Sequence, residues 1–235
     1  VDMAGMVDSA RRGRQRPTRR APGGPGPVHH PEGSFSTGMS LILASASSIR
    51  ASLLRRAGVA VEVVPARIDE EAVRLALAAE AARPREVADT LAEHKARKVS
   101  ERFPDALVLG CDQVLDLDGT VLGKPVDIDA ARTQLRALRG RSHRLFAAAV
   151  LYHSARPVWR HVGEARLTMR SFSDFWLEGY LARNGAGLCE SAGAYKIEEE
   201  GVRLFSRVEG DHFSILGLPL IQILDVLTVR GELPG

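Results

Sequence analysis

Cysteine is nearly absent from this chain. Only Cys111 and Cys189 occur in 235 residues, far apart and outside any paired motif. That excludes a disulfide framework and a thiolate zinc site, and it fits a reducing, cytoplasmic interior. Long apolar runs are also missing, none approaching the ~20 residues of a membrane-spanning helix. Neither glycine-rich phosphate pattern, G-x-x-x-x-G-K-S/T or G-x-G-x-x-G, is present, so the usual P-loop and dinucleotide folds are not indicated. G-x-S-x-G is absent, leaving a nucleophile elbow unsupported. H-E-x-x-H is absent as well, and the seven histidines do not gather at ligand spacing.

Net charge is scarce once its location is considered. Residues 1–38 hold Arg11, Arg12, Arg14, Arg16, Arg19 and Arg20 against Asp2, Asp8 and Glu32, which is the whole net charge of +3. The rest is formally neutral, which argues against a broad phosphate-backbone footprint and a specific nucleic-acid partner. The same leader contains Ala-Pro-Gly-Gly-Pro-Gly-Pro at 21–27 and few large apolar residues, so it reads as disordered. It lacks the apolar stretch of a secretory signal. Its arginine content resembles a transit peptide, but its glycine and proline spoil an amphipathic helix. The folded body is expected over 39–235, with Met39 a natural start.

Apolar residues make up 45% and charged residues 26%, ordinary for a globular chain long enough for one large domain or two lobes sharing a cleft. The central stretch is Val108–Pro125. An apolar run from Ala106 to Leu109 predicts a strand buried on both faces, ending at Gly110-Cys111 and delivering Asp112-Gln113 at its carboxyl end. Asp118-Gly119 predicts a tight hairpin, whose return arm brings Lys124 back to the level of Asp112. Asp112 could equally cap a turn and Lys124 be solvated.

Leu41–Ala44 predicts a first buried strand, running through Ser45-Ala46-Ser47-Ser48 into an amphipathic helix that Gly58 stops. Ser47 or Ser48 is the expected N-cap. A strand entering a helix through small hydroxyl residues suits an anion, and Arg50 in the first turn suits a phosphate clamp or plain solvation. Val61–Val64 is a second strand, and Asp69-Glu70-Glu71 leads a helix over 72–82. In the next helix, 85–102, Val87, Leu91, Lys95 and Val99 fall on one face, so Lys95 must snorkel, pair or face a cleft. A helix follows over 127–139, then a hairpin of strands (145–152 and 158–170), a helix from 173, a glycine-rich loop over 185–194, a strand over 202–208 and a last helix from Leu220. The hairpin among helices predicts a mixed α/β sheet. Carboxylates and cations scattered at strand ends suit divalent-metal-assisted phosphoanhydride hydrolysis.

Read in order, Leu43-Ala44-Ser45-x-Ser47-x-x-Arg50, Ile68-Asp69-Glu70, Ala92-x-x-Lys95-Ala96, Gly110-x-Asp112-Gln113-Val114 and Gly123-Lys124-Pro125 resemble the Maf proteins. Leu138-x-Gly140-x-x-His143, Ala192-Gly193-Ala194-Tyr195-x-Ile197-Glu198 and Gly217-Leu218-Pro219-Leu220 continue the resemblance over residues 41–230. It implies a two-lobed mixed sheet with flanking helices and a central cleft, as in inosine triphosphatases, often as a homodimer. It implies a nucleoside triphosphate pyrophosphatase using Mg2+, Mn2+ or Co2+. By the same resemblance Ser45, Arg50, Lys95 and Lys124 would bind phosphate, Asp112 would be the catalytic carboxylate, and Glu70 with Asp112 would hold the metal. Gln113 and Glu198 would lie near the base. Two departures stand out: Ser47-Ser48-Ile49-Arg50 lacks one of the arginines of Ser-Pro-Arg-Arg, and Asp112-Gln113 with Glu198 replaces Asp-Thr with Gln. The latter set resembles the 7-methyl-GTP branch rather than the dTTP and UTP branch. A septum regulator of cell division and a nucleic-acid binder acting through residues 11–20 are the competing readings.

Overall fold

A long central strand, β3 (Leu107–Leu117), organises the chain. In the computed structural model, which describes residues 41–234, β3 is hydrogen-bonded along nearly its whole length to antiparallel β5 (Ser142–His153). The expected leader over 1–38 and the start at Met39 lie outside the described residues. Short β1 (Leu41–Leu43) runs parallel to the first part of β3, and β2 (Val61–Val63) runs parallel to β1. β4 (Thr120–Leu122) folds back on the last part of β3, while β6 (Arg156–Met169) and β7 (Phe205–Gly210) extend the sheet beyond β5. The result is a seven-stranded mixed sheet of order β2-β1-β3-β5-β6-β7, with β4 beside β3.

The long strands pass from one core into another, which makes the two lobes. In the first lobe, Val108 packs with α3 (Pro84–Ser100) on one face, and Leu107, Leu109 and Cys111 pack with α1 (Ser48–Arg56) and α7 (Leu220–Val229) on the other. In the second lobe, Leu115 and Leu117 join Leu135 and Leu138 of α4 (Ile128–Leu138) and Leu177, Tyr180 and Leu181 of α5 (Asp174–Asn184). Each fully buried leucine contributes about 1.5–3 kcal/mol of apolar transfer. Helix α2 (Glu70–Ala79) is the loose element, with no fully buried residue, and α6 (His212–Ile215) is a single short turn.

Two expectations need correction. The strand does not end at Gly110-Cys111; it continues through Asp112 to Leu117 because β5 pairs with it throughout. Gly110 is there for close approach: a Cβ would stand 2.2 Å from the Ala92 carbonyl oxygen of α3. Residues 200–204 form a 3-10 turn, not strand, and β7 begins only at Phe205. The Asp118-Gly119 turn does form, both residues having positive φ (52° and 86°).

Candidate functional site

The pairing of β3 leaves a gap. On its outer edge β1 pairs only as far as Leu109 and β4 only from Leu115, so no strand covers Gly110–Val114 on that side. Asp112 and Gln113 sit in this gap between the lobes, at the carboxyl end of parallel β1, where α/β sheets commonly bind ligands.

Three segments converge there. From β1, Ser45 follows the strand and Ser47 caps α1, its Oγ accepting from the Arg50 amide. The Arg50 guanidinium reaches across: Nη1 donates to Ser45 Oγ at 3.1 Å and to the Cys111 carbonyl at 2.9 Å, and Nε donates to the Gly217 carbonyl at 2.8 Å. Arg50 thus ties the first loop to β3 and to the turn before α7. Gln113 makes a similar brace, its Nε2 donating to the carbonyls of Ser214 and Ile215 at 3.1 and 2.9 Å. Gly217, with φ +92°, lies where a side chain would press on Arg50 and on Gln113 Oε1.

On the other face of β3 the site is ionic. Lys95, on the buried line of α3, neither snorkels nor stays unpaired: it is 7% exposed, and its Nζ donates to Asp112 Oδ1 at 2.6 Å and lies 2.8 Å from Glu70 Oε1. Asp112 is itself buried, and its Oδ2 has no hydrogen-bond partner among the described residues. Burial pushes the Glu70 carboxyl up, but the Lys95 hydrogen bond and the charges of Lys95, Arg74 and Lys124 outweigh it and hold Glu70 below its ordinary range. An orphaned buried carboxylate oxygen beside a second carboxylate is chemistry that fits a hard divalent cation. Among the described residues no three His, Cys, Asp or Glu side chains cluster with metal geometry, so the protein offers two carboxylates and the remaining ligands would be water and phosphate.

Lys124 is exposed two residues beyond β4 and makes no ion pair among the described residues, though its charge reaches both Glu70 and Glu190. Glu198 is exposed on the second lobe and hydrogen-bonds to none of the other candidates. Thus Ser45, Arg50, Lys95, Asp112, Gln113 and Glu70 are joined through side-chain contacts and β3, Lys124 is within electrostatic reach, and Glu198 stands apart.

Two residues went unread in the sequence. Gln134 of α4 donates from Nε2 to the Gly123 carbonyl at 2.9 Å, while its Oε1 accepts from the Gly193 amide at 3.1 Å. It fastens the Lys124 segment to the glycine-rich loop that leads to Glu198. Arg74 of α2 lies against Gly123, its Nη1 2.8 Å from where a Cβ would be. No sequence signal marks either residue, because both contacts are made to backbone far along the chain.

Comparison with known proteins agrees with this picture. A family profile described as Maf-like protein matches residues 40–230. A "Nucleoside triphosphate pyrophosphatase" from Roseobacter denitrificans is 58% identical over 194 residues, 83% of this chain and 98% of that protein. One of the same description from a Ruegeria species is 54% identical over 191 residues, covering 81% and 96%. A "7-methyl-GTP pyrophosphatase" from Mesorhizobium japonicum is 48% identical over 195 residues, covering 83% and 98%. Among solved structures, a HAM1 protein from Coxiella burnetii aligns at TM-score 0.38 and 16% identity over 56% of this chain and 73% of its own, a likeness too distant to carry weight. With its ordered motifs gathered around Asp112 in the gap of a mixed sheet, the chain belongs to the Maf family of nucleoside triphosphate pyrophosphatases.

Proposed function

We propose that this chain hydrolyses the α-β phosphoanhydride of a nucleoside triphosphate with the help of a divalent cation, and that its preferred substrate is 7-methyl-GTP. One observation carries the chemistry: Lys95 holds Asp112 and Glu70 together while leaving Asp112 Oδ2 without a partner. In this reading that oxygen accepts a proton from water as the water oxygen bonds to the α-phosphorus. The α-β bond breaks, and pyrophosphate leaves with its electron pair. Ser45, the α1 amino terminus and the cations Arg50, Lys95 and Lys124 supply donors and positive charge for the phosphates. Asp112 and Glu70 would hold the cation, Mg2+, Mn2+ or Co2+, which when bound would neutralise charge on the phosphates.

The base preference rests on Glu198. It is exposed and carries no hydrogen bond from the described residues, so its carboxylate can accept from the N1/N2 edge of guanine and favour the positive charge of a methylated ring. The name of the Mesorhizobium relative supports this preference. Pyrophosphate release across a panel of ordinary and methylated triphosphates, scored as kcat/KM with Mg2+, Mn2+ and Co2+, tests the reading. Asp112→Asn should lower kcat by about 10²–10⁴-fold; equal turnover in that variant removes Asp112 from the chemistry. Glu198→Gln should shift preference away from 7-methyl-GTP, and an unchanged ranking sinks the role given to Glu198.

A further inference from the structure

The position of Arg74 is unusual for a residue on the loosest helix. Although α2 buries none of its residues fully, the Arg74 side chain is only 24% exposed, and its Nε is buried without a partner among the described residues. Among the described residues the one acid paired with it is Glu70, at 3.6 Å, and the Oε1 of that carboxylate is already given to Lys95. Arg50, by contrast, has spent three N–H bonds on Ser45, Cys111 and Gly217. A guanidinium has five donors in a fixed fork, and leaving them unsatisfied in a half-buried place is costly. The guanidinium rests on Gly123, the residue before Lys124, and both cations act on Glu70. Three cations, Arg74, Lys95 and Lys124, surround two carboxylates, Glu70 and Asp112. The surplus is positive, and it becomes more so with a divalent ion on the carboxylates.

Building on the function proposed above, we infer that Arg74 binds the pyrophosphate half of the substrate, with its planar fork taking two oxygens of the β and γ phosphates. It pairs with Glu70 and not with Asp112, so it lies away from the carboxylate proposed as the base. Gly123 is then a cradle for this guanidinium. Its φ lies outside the left-handed region, and among the described residues other than its chain neighbours the only atom within 4 Å of an added Cβ is Arg74 Nη1.

The test uses the full chain and inorganic pyrophosphate as the probe, with affinity read by calorimetry in the presence of Mg2+. Arg74→Met should weaken pyrophosphate at least about tenfold, with Arg74→Lys falling between, because a point charge restores attraction but not the fork. Nucleoside monophosphate inhibition should hardly change. Gly123→Ala should weaken pyrophosphate by displacing the guanidinium, and should add nothing in the Arg74→Met background. Unchanged pyrophosphate affinity in a folded Arg74→Met protein overturns the proposal, as does an equal loss from Gly123→Ala in both backgrounds. If Gly123→Ala does not fold, the Met and Lys variants decide alone. Triphosphate turnover by the unaltered chain with pyrophosphate affinity indifferent to Arg74 defeats this inference alone. Absence of turnover defeats the hydrolase reading, and pyrophosphate binding still decides Arg74.

Discussion

Replacing Lys95 by Met isolates the interaction on which the site is built. Lys95 and Asp112 side chains are 9% and 6% exposed, so their 2.6 Å contact is shielded from water, whereas Glu70 at 42% is partly screened. Removing one partner of a buried pair typically costs about 3–5 kcal/mol. The repulsion left between the two carboxylates that share Lys95 points the same way. The buried Asp112 accounts for most of the loss, and solvent trims the share of Glu70. A deficit of about 3 kcal/mol in a domain of this size lowers Tm by about 6–12 °C. The loss depends on pH with a definite sign. Lys95 is the main influence holding Glu70 below its ordinary range against the upward push of burial. A carboxyl held below its ordinary 4.5 contributes stability that is fully present above about that pH and is lost as pH falls below it, so the Glu70 share of the deficit fades in acid and is complete near neutral pH. Mg2+ or Mn2+ should recover part of the loss by replacing the missing positive charge between the carboxylates. Thermal unfolding of both proteins near pH 8 and at about pH 3.5, below the ordinary Glu70 value, with and without divalent ion, provides the measurement. Equal Tm values near pH 8 would refute the claim that Lys95 neutralises this buried pair.

Further expectations concern residues around the site. Gln134→Met removes two hydrogen bonds to backbone at about 1 kcal/mol each and should lower Tm by about 4–8 °C while raising KM through a looser Lys124 segment; an unaffected KM argues against the clamp. Burial pushes His143 down to about 4 while its Nε2 meets the Tyr195 hydroxyl, so between that value and about 6.5 the unfolded chain binds the extra proton. Stability should therefore fall by up to about 3 kcal/mol as pH drops through that window, and His143→Phe should flatten this part of the stability-pH curve. Gly110→Ala should cost about 3 kcal/mol or more, because the added methyl meets α3 backbone that cannot move aside; a Tm within a degree or two of the parent would show that α3 shifts freely.

Much of the architecture was legible because it is written in local patterns. The Ser47 cap, the four-residue spacing of Val87, Leu91 and Val99, and the Asp118-Gly119 turn each act within a few residues. Gly110 was misread as a stop because a glycine demanded by a turn and one demanded by a neighbouring helix look alike in sequence. The strand expected at Val202 failed for a related reason, since apolar spacing over a few residues does not separate a 3-10 turn from a strand.

The sequence by itself determined which chemistry is present: carboxylates, cations and hydroxyl residues in an ordered set of motifs, on elements whose types follow from periodicity and capping. Only the tertiary structure decided who meets whom. It put Lys95 between Asp112 and Glu70, spent the donors of Arg50 and Gln113 on backbone carbonyls, and brought Arg74 and Gln134 to Gly123 from opposite sides. Those partners are set by strand register and helix packing across long stretches of chain, and contacts to a distant backbone carbonyl or amide leave no period in the residues that make them.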